Sequence, residues 1–461
     1  MGDTVTGRGP DGRWTLPDGR TVLPGNRWDL LTEPAAPAAV SVVVPYFRQQ
    51  DQLDLMLTAL SMQTHPADLL QVIVADDGSP TPPDTGAYDG PARPTVVRQD
   101  DRGFRAAAAR NLGAAAADGE VVCFLDADTI PEPSYIAEAV RLPSAGPDVL
   151  AVGRRRHADL DGWTPARLRA WFEGGPAPTE LTEPGWLRDA YRGSGDLLDA
   201  DHRSYRHIIS AVMTCSRELF TAVGGFDGTF VGYGGEDWEF AARAWERGAV
   251  LAHVPDAVAW HDGPDWAERS TSDRVGKNRE AMALARRITD PAARRHGVRY
   301  ALPDVRSVVH TDGRSAASVL VTAGALLRDL DGVVHLVGDT AEEIRDEWGD
   351  ADSRVVVGMP SPDARSRITV IVRAAVDPDP GALRAIVNVL DDHRAGRLDV
   401  EHDGQTVIEI RSARADARAQ RWAGLLHADA ATLAEELFPV LRRDAETVGL
   451  TPSTEEPRLD W

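Results

Sequence analysis

Val40-Ser41-Val42-Val43-Val44-Pro45, followed further on by Gln71-Val72-Ile73-Val74-Ala75-Asp76-Asp77-Gly78-Ser79, sets the architecture of this chain. The first run is rich in β-branched residues and closed by proline, which reads as a buried strand. Between the two runs, Leu53, Met56, Leu57 and Leu60 recur at three- and four-residue steps, the period of a helix with one apolar face. The second run is another short apolar strand, broken by an acidic turn. Strand, helix and strand over so short a span form a βαβ unit, so the spacing predicts a parallel sheet with a right-handed crossover. Downstream, Ala106 to Ala117 reads as an Ala-rich helix carrying Arg110 and Asn111. Val121 to Leu125 then reads as a third buried strand, ending in Asp126-Ala127-Asp128.

Outward from this nucleus the pattern loosens. Residues 1–38 are rich in Gly, Pro and Asp, a linker-like extension. Leu142 to about Ser204 mixes Gly, Pro, Trp and Arg and reads as long loops with short helices. Regular elements return at Ile208 to Thr214 and at Glu236 to Arg247, where Gly248 suits a helix C-terminus. Past residue 300 the pattern restarts. Ser318–Thr322, Val333–Val337, Val355–Val357, Ile368–Arg373 and Thr406–Ile410 are strand-like, and 340–348, 380–390 and 413–443 are helical. The expected organisation is an extension over 1–38, a main α/β domain over 39–295 (halves 39–140 and 141–295), and a smaller α/β domain over 300–461. Residues 368–403 loosely echo 40–78, with too little identity to make a repeat.

Composition narrows the function. The 461 residues carry 50 Lys and Arg against 72 Asp and Glu, a net charge of −22. Such a surface repels nucleic acid and anionic membranes. Cys123 and Cys215 are the two cysteines, too few for a disulfide framework and in keeping with a reducing compartment. The first residues have no apolar core of a signal peptide, and no run approaches the ~20 apolar residues that span a bilayer. The expectation is a soluble, cytoplasmic protein.

In open parallel sheets, ligands bind beyond the carboxyl ends of the strands. Asp76 and Asp77, and Asp126 and Asp128, occupy such ends. Asp126 and Asp128 leave the same face if the extended backbone persists. Paired hard oxygen ligands are what a divalent cation bridging a diphosphate requires, whereas Asp after a strand is also ordinary turn chemistry. The run Phe124 to Thr129 looks in part like the nucleophile motif of haloacid-dehalogenase-type phosphatases. That motif needs Thr where this chain has Ile130, and it usually opens its domain.

Taken in order, Val42-Val43-Val44-Pro45-Tyr46, Asp76-Asp77-Gly78-Ser79, Arg110-Asn111-Leu112-Gly113 and Phe124-Leu125-Asp126-Ala127-Asp128 resemble glycosyltransferase family 2, whose fold is GT-A. Val223-Gly224-Gly225-Phe226-Asp227 and Gly234-Gly235-Glu236-Asp237-Trp238-Glu239 are similar to the acceptor half of that family, in particular to bacterial chondroitin-polymerase domains and the galactosyltransferase carboxyl-terminal region. The resemblance spans about 40–265. It implies a nucleotide-sugar site formed by Pro45, Tyr46, Asp76, Asp77, Arg110, Asn111, Asp126 and Ala127, with Asp77 favoured for the base. It implies Mn²⁺ or Mg²⁺ held by Asp128 and His261, a catalytic pair in which Asp237 is the general base and Glu236 positions the acceptor or donor sugar, and sugar contacts from Gly235, Trp238 and Tyr233. The same carboxylates at a helix start also read as a favourable charge pair with the helix dipole. Arg154-Arg155-Arg156 reads chiefly as a solvated basic cluster, with contact to phosphate or an anionic acceptor as the alternative.

The implied reaction is metal-dependent transfer from a nucleoside-diphosphate sugar, a UDP-sugar first, to an acceptor hydroxyl with inversion. The acceptor is a saccharide, a lipid-linked sugar, a peptide or a small molecule, and the C-terminal domain could support an oligomer. Two alternatives stand beside it. A nucleotidyltransferase would carry a Gly-rich basic loop near its first strand, where this chain has Pro45-Tyr46-Phe47-Arg48-Gln49-Gln50. A degenerate transferase-like scaffold or binding protein would not need Asp128, Asp237 and His261.

Overall fold

The computed structural model describes residues 7–32, 36–232, 234–264, 274–294, 298–349, 352–361, 363–453 and 455–459. They divide into two compact units, Met1–Met282 and Ala283–Trp461. Among the described residues no helix is long and apolar enough to cross a membrane.

The first unit opens with a small antiparallel sheet of β1 (Gly7–Arg8), β2 (Trp14–Thr15) and β3 (Thr21–Val22). The linker-like reading of this segment fails. Leu16, Val22 and Leu23 are buried, and the buried Asn26 donates from Nδ2 to the Leu197 and Leu251 carbonyls at 2.7 and 2.9 Å. Strands of two residues between Gly and Pro turns show no alternation long enough to read.

The main sheet follows the expected start: β4 (Val40–Tyr46), α1 (Gln50–Ser61), β5 (Leu70–Asp76), β6 (Thr95–Arg98), α2 (Ala106–Ala115) and β7 (Val121–Leu125). These four strands are parallel in the order β6-β5-β4-β7. All five residues of β7 are buried, which is why its sequence is a continuous apolar run. Gly113 lets α2 lie close on the sheet, since a Cβ there would stand 2.3 Å from Val43 Cγ1.

The chain continues through β8 (Thr129–Pro131), α3 (Tyr135–Ala145), β9 (Val149–Asp159), α4 (Pro165–Phe172), β10 (Thr179–Leu181) and α5 (Gly185–Gly193). It then forms β11 (Val212–Ser216), α6 (Arg217–Val223), α7 (Glu236–Glu246), β12 (Val250–Asp262) and α8 (Arg274–Ala285). The sheet extends as β7-β11-β9-β12-β8, with β11 antiparallel to both neighbours and β12 parallel to β9. The 11-residue β9 lies inside the segment read as loops. Its second half carries three arginines in a row, which hides the strand period. The structure pairs the outer two with carboxylates: Arg154 with Glu183 at 2.7 Å, and Arg156 with Glu180, the latter also lying over the Trp260 ring at 4.1 Å. Cys123 and Cys215 are buried free thiols.

The second unit contains β13 (Val305–His310), α9 (Ala316–Asp329), β14 (Gly332–Val337), α10 (Ala341–Trp348), β15 (Val355–Val357) and β16 (Ile368–Val372). After these come β17 (Val376–Pro378), α11 (Ala382–Asp392), β18 (Arg397–His402), β19 (Gln405–Ser412), α12 (Ala413–Ala423), α13 (Ala430–Leu437), β20 (Val440–Asp444) and β21 (Leu450–Pro452). Its sheet runs β15-β14-β13-β16-β19-β18-β20, with β17 and β21 paired separately. The expected strand at Ser318–Thr322 is instead part of α9. Ser315 caps that helix by accepting the Ser318 N–H at 3.1 Å, and Val319, Thr322, Ala323 and Leu326 bury one helical face. The expected helix over 413–443 is two helices followed by β20.

Candidate active site

The cleft is built on the carboxyl ends of β5 and β7. Asp76, the last residue of β5, is fully buried; its Oδ1 accepts the Ser79 N–H at 2.8 Å and its Oδ2 lies 3.4 Å from Arg98 Nε. Asp77 accepts from Gln99 Nε2 at 2.6 Å and from the Arg105 N–H at 2.7 Å. Gly78 turns the chain at φ +89°, and a Cβ there would meet the Asp101 nitrogen at 2.2 Å. Gly78, Arg98, Gln99, Asp100, Asp101, Arg102 and Arg105 line a polar cavity of about 720 Å³. Pro45 and Tyr46 lie beside it at the end of β4, opposite Ala75 and Asp76. Burial, and then Asp76, raise the Tyr46 phenol above its ordinary range.

At the end of β7, Asp126 Oδ1 accepts from Arg110 Nη2 at 2.6 Å, and Arg110 Nη1 reaches Glu236 Oε1 at 2.9 Å. The Arg110 guanidinium is buried over the Phe226 ring. Burial opposes its charge, but Asp126 and Glu236 outweigh that and hold it protonated. Ala127 is buried, and Asp128 turns towards β12, where its Oδ2 lies 3.6 Å from His261 Nε2. Burial first, then the Asp126 charge, push the Asp128 carboxyl above the usual range, with Arg155 opposing. His261 Nδ1 faces the Gly263 carbonyl at 3.2 Å; a carbonyl only accepts, so Nδ1 carries the proton, and in the neutral ring Nε2, which faces Asp128, is the nitrogen that could ligate a cation.

This donor set fits a divalent cation. A carboxylate oxygen and an imidazole nitrogen 3.6 Å apart can both reach one ion at about 2.1 Å. Among the described residues no group of three or more His, Cys, Asp or Glu is assembled to hold a metal. Asp128 and His261 would therefore share the ion with ligand oxygens.

The opposite wall is the start of α7. Gly235 caps it at φ +90°, bringing Glu236 and Asp237 into the first turn. Asp237 Oδ1 accepts the Trp238 N–H at 2.8 Å. Burial, and then the Glu236 charge, raise the Asp237 carboxyl well above the carboxylate range, against the pull of Trp238 N–H and Arg110. Trp238 is half-buried and meets Tyr205 edge-on, with centroids 6.4 Å apart. Tyr233 lies outside the described residues. Asn111 is engaged with backbone: Nδ2 donates to the Phe226 carbonyl at 2.8 Å, and Oδ1 accepts the Phe226 N–H at 2.9 Å. It thereby fixes the loop that leads into α7.

The structure therefore brings Asp126, Asp128, His261, Arg110, Glu236 and Asp237 into one constellation, with Asp76 and Asp77 at the neighbouring cavity. Sequence reasoning left His157 unassigned and read Arg155 only within a basic cluster, chiefly solvated, with contact to phosphate or an anionic acceptor as the alternative. The two residues share a face of β9, and His157 pairs in register with His261, its ring 4.9 Å away. Arg98, Gln99 and Arg105 were missed. The legible signal was an alternating Arg155-x-His157 beside a His-bearing strand, masked by the flanking arginines.

Residues 41–200 match the profile described as glycosyl transferase family 2, and residues 200–259 match that described as the N-terminal domain of galactosyltransferase. The chain is 27% identical over 256 residues to the chondroitin synthase of Pasteurella multocida (strain Pm70), covering 52% of this chain and 26% of that protein. It is 31% identical over 227 residues to the validoxylamine A glucosyltransferase of Streptomyces hygroscopicus subsp. limoneus, covering 46% of this chain and 49% of that protein. The matches thus span a quarter to a half of these relatives' lengths. Among solved structures, a mannosyltransferase from Pyrobaculum calidifontis in complex with GDP-Man and Mn²⁺ aligns at TM-score 0.37 with 22% identity, covering 59% of this chain and 71% of that one.

Proposed function

From a chain related over residues 41–259 to the family 2 glycosyltransferases, we propose an inverting enzyme that moves a sugar from a nucleoside-diphosphate sugar, most simply a UDP-sugar, to an acceptor hydroxyl. The observation that carries this is the Arg110 bridge. It ties Asp126, on the sheet side, to Glu236, next to Asp237 on the α7 side. A donor bound over the sheet and an acceptor bound under α7 would meet at that bridge.

The nucleoside fits the cavity beside Asp77, with the diphosphate running towards Asp126 and Asp128. Asp128 and His261 would hold Mn²⁺ or Mg²⁺, which when bound neutralises charge gathering on the leaving diphosphate. Asp237 takes the proton of the acceptor hydroxyl as that oxygen attacks the anomeric carbon. The new C–O bond forms as the bond to the diphosphate breaks, and its electron pair leaves with the nucleotide. Displacement from the face opposite the leaving group inverts the centre, giving a β-linkage from an α-linked donor. A carboxylate with raised proton affinity is the stronger base once ionised. Glu236, held by Arg110 at 2.9 Å, serves as a positioning residue.

The test is a donor panel: UDP-glucose, UDP-galactose, UDP-N-acetylglucosamine, UDP-glucuronate and GDP-mannose with Mn²⁺, followed by nucleoside-diphosphate release. We expect slow release from a UDP-sugar, abolished by EDTA and in Asp128→Ala. Release from none, or release indifferent to chelator and mutation, contradicts the reading.

A further inference from the structure

Chain order and strand pairing coincide in the two units. In the first, β4 lies between parallel β5 and β7, with β6 beyond β5; antiparallel β11, then β9, then parallel β12 lie beyond β7. In the second, β13 lies between parallel β14 and β16, with β15 beyond β14; antiparallel β19, then β18, then parallel β20 lie beyond β16. The short strands agree as well: β8 pairs antiparallel with the end of β12, and β17 with β21. Helices α1, α3, α6 and α7 fall in the same gaps as α9, α11, α12 and α13. The second unit differs by carrying α10 before β15, by joining β18 to β19 through a tight turn where the first unit inserts α4, β10 and α5, and, among its described residues, by having no helix where α2 stands.

The registers align the residues one by one. Val40 pairs with Val121 at the start of β7, and Val305 with Ile368 at the start of β16. Counting along the equal strands sets Leu125 on Val372, so Asp126-Ala127-Asp128 falls on Arg373-Ala374-Ala375. The next strand follows at once in both, Thr129–Pro131 and Val376–Pro378. Thr129 pairs with His261, and Val376 with Pro452, so His261 falls on Pro452. Val40 pairs with Leu70 and Val305 with Gly332, which sets Asp76 on Gly338 and Asp77 on Asp339. Helix α7 opens with Glu236-Asp237, and α13 with Ala430-Ala431. The faint echo between 368–403 and 40–78 was out of frame: 305–339 matches 40–77, and 368–402 matches the stretch from β7 into β9.

We infer that residues 305–452 are a copy of the transferase fold that has lost its donor site, so that the whole chain offers one donor site and adds one kind of sugar; this rests on the transfer reading above. The chemistry at the equivalent positions excludes a cation-held diphosphate. Arg373 stands where Asp126 stood, its guanidinium paired with Glu409 Oε2 at 2.7 Å, and a positive charge there repels a divalent ion. Ala375 and Pro452 replace both first-unit ligands with side chains that have no donor atom. Ala431 replaces the base. Asp339 alone survives, as the counterpart of Asp77 at the nucleobase position, and a single carboxylate there neither holds a metal nor activates an acceptor.

Native mass spectrometry of the full chain counts the sites. The chain is sprayed with UDP or GDP in the presence of Mn²⁺, as wild type, as Asp128→Ala, as His261→Gln and as Arg373→Ala. We expect one nucleotide–Mn²⁺ adduct per wild-type chain, one on Arg373→Ala, and a loss of at least tenfold in occupancy on the two ligand variants. Retained circular dichroism establishes that these variants fold, and His261→Gln covers the case in which Asp128→Ala does not. Two adducts on wild type overturn this inference and leave the transfer reading standing, whereas a full adduct surviving on either ligand variant overturns both. No adduct on wild type overturns both.

Discussion

Arg110 draws together carboxylates from two elements that approach the cleft from different sides, Asp126 after β7 and Glu236 at the start of α7. Removing a buried partner strands the opposite charges, at a cost of about 3–5 kcal/mol. Arg110→Met is therefore expected to lower thermal stability by that order and to abolish transfer, which a melting curve with a parallel rate assay would check. Asp237 gives a pH prediction. It acts ionised, and burial together with Glu236 raises its proton affinity, so kcat/KM should climb as pH rises through that elevated value. Glu236→Gln removes one of the two raising causes and should move the acid limb to lower pH. A limb that stays put or moves up places the base elsewhere. Asp237→Asn should cut kcat by about 10²–10⁴ with UDP affinity unchanged. Asp126 was legible because it follows a buried strand, whereas Glu236 and Asp237 stood out through the resemblance of their Gly-Gly-Glu-Asp context, since a helix start alone reads as a charge pair. Arg110 as a bridge was not legible, since its partners are distant in sequence and meet only through the fold.

At the scale of elements, two positions test how the cleft is framed. Gly78 needs φ +89° and has Asp101 pressed against it. Gly78→Ala costs roughly 1–2 kcal/mol in backbone strain alone, and displacing residues 100–101 should weaken UDP binding before it slows chemistry. Asn111→Ala leaves the Phe226 N–H and C=O unpaired, about 1–3 kcal/mol, and loosens the loop into α7. It should lower kcat more than it weakens UDP binding, and the reverse split would place Asn111 at the nucleotide. Strands β4, β5 and β7 could be read from sequence because burial on both faces writes a continuous apolar run. Strand β9 could not, because its outer half trades apolar alternation for ion pairs with Glu180 and Glu183. The β-branched Ser318–Thr322 run misled for the opposite reason: a Ser315 cap and a buried helical stripe override strand propensity.

For the whole molecule, the two units present the same topology with different chemistry at the strand ends. Sequence pattern alone could not show this, because topology is preserved by apolar strands of any composition, while the substitutions Asp128 to Ala375 and His261 to Pro452 erase the motif that would flag it. Hydrogen exchange with UDP and Mn²⁺ is therefore expected to slow amides at 77–79, 99–105 and 126–129 and to leave 305–452 unchanged. Protection at 311–315 or 338–340 would mean a second nucleotide site.

The most direct measurement is a calorimetric titration of the full chain with UDP and with GDP, each with Mn²⁺ and with EDTA, repeated on Asp128→Ala. The predicted result is binding of UDP that needs Mn²⁺ and vanishes in the variant. Binding indifferent to metal and to Asp128, or no binding of either nucleotide, would contradict a diphosphate held between Asp128 and His261.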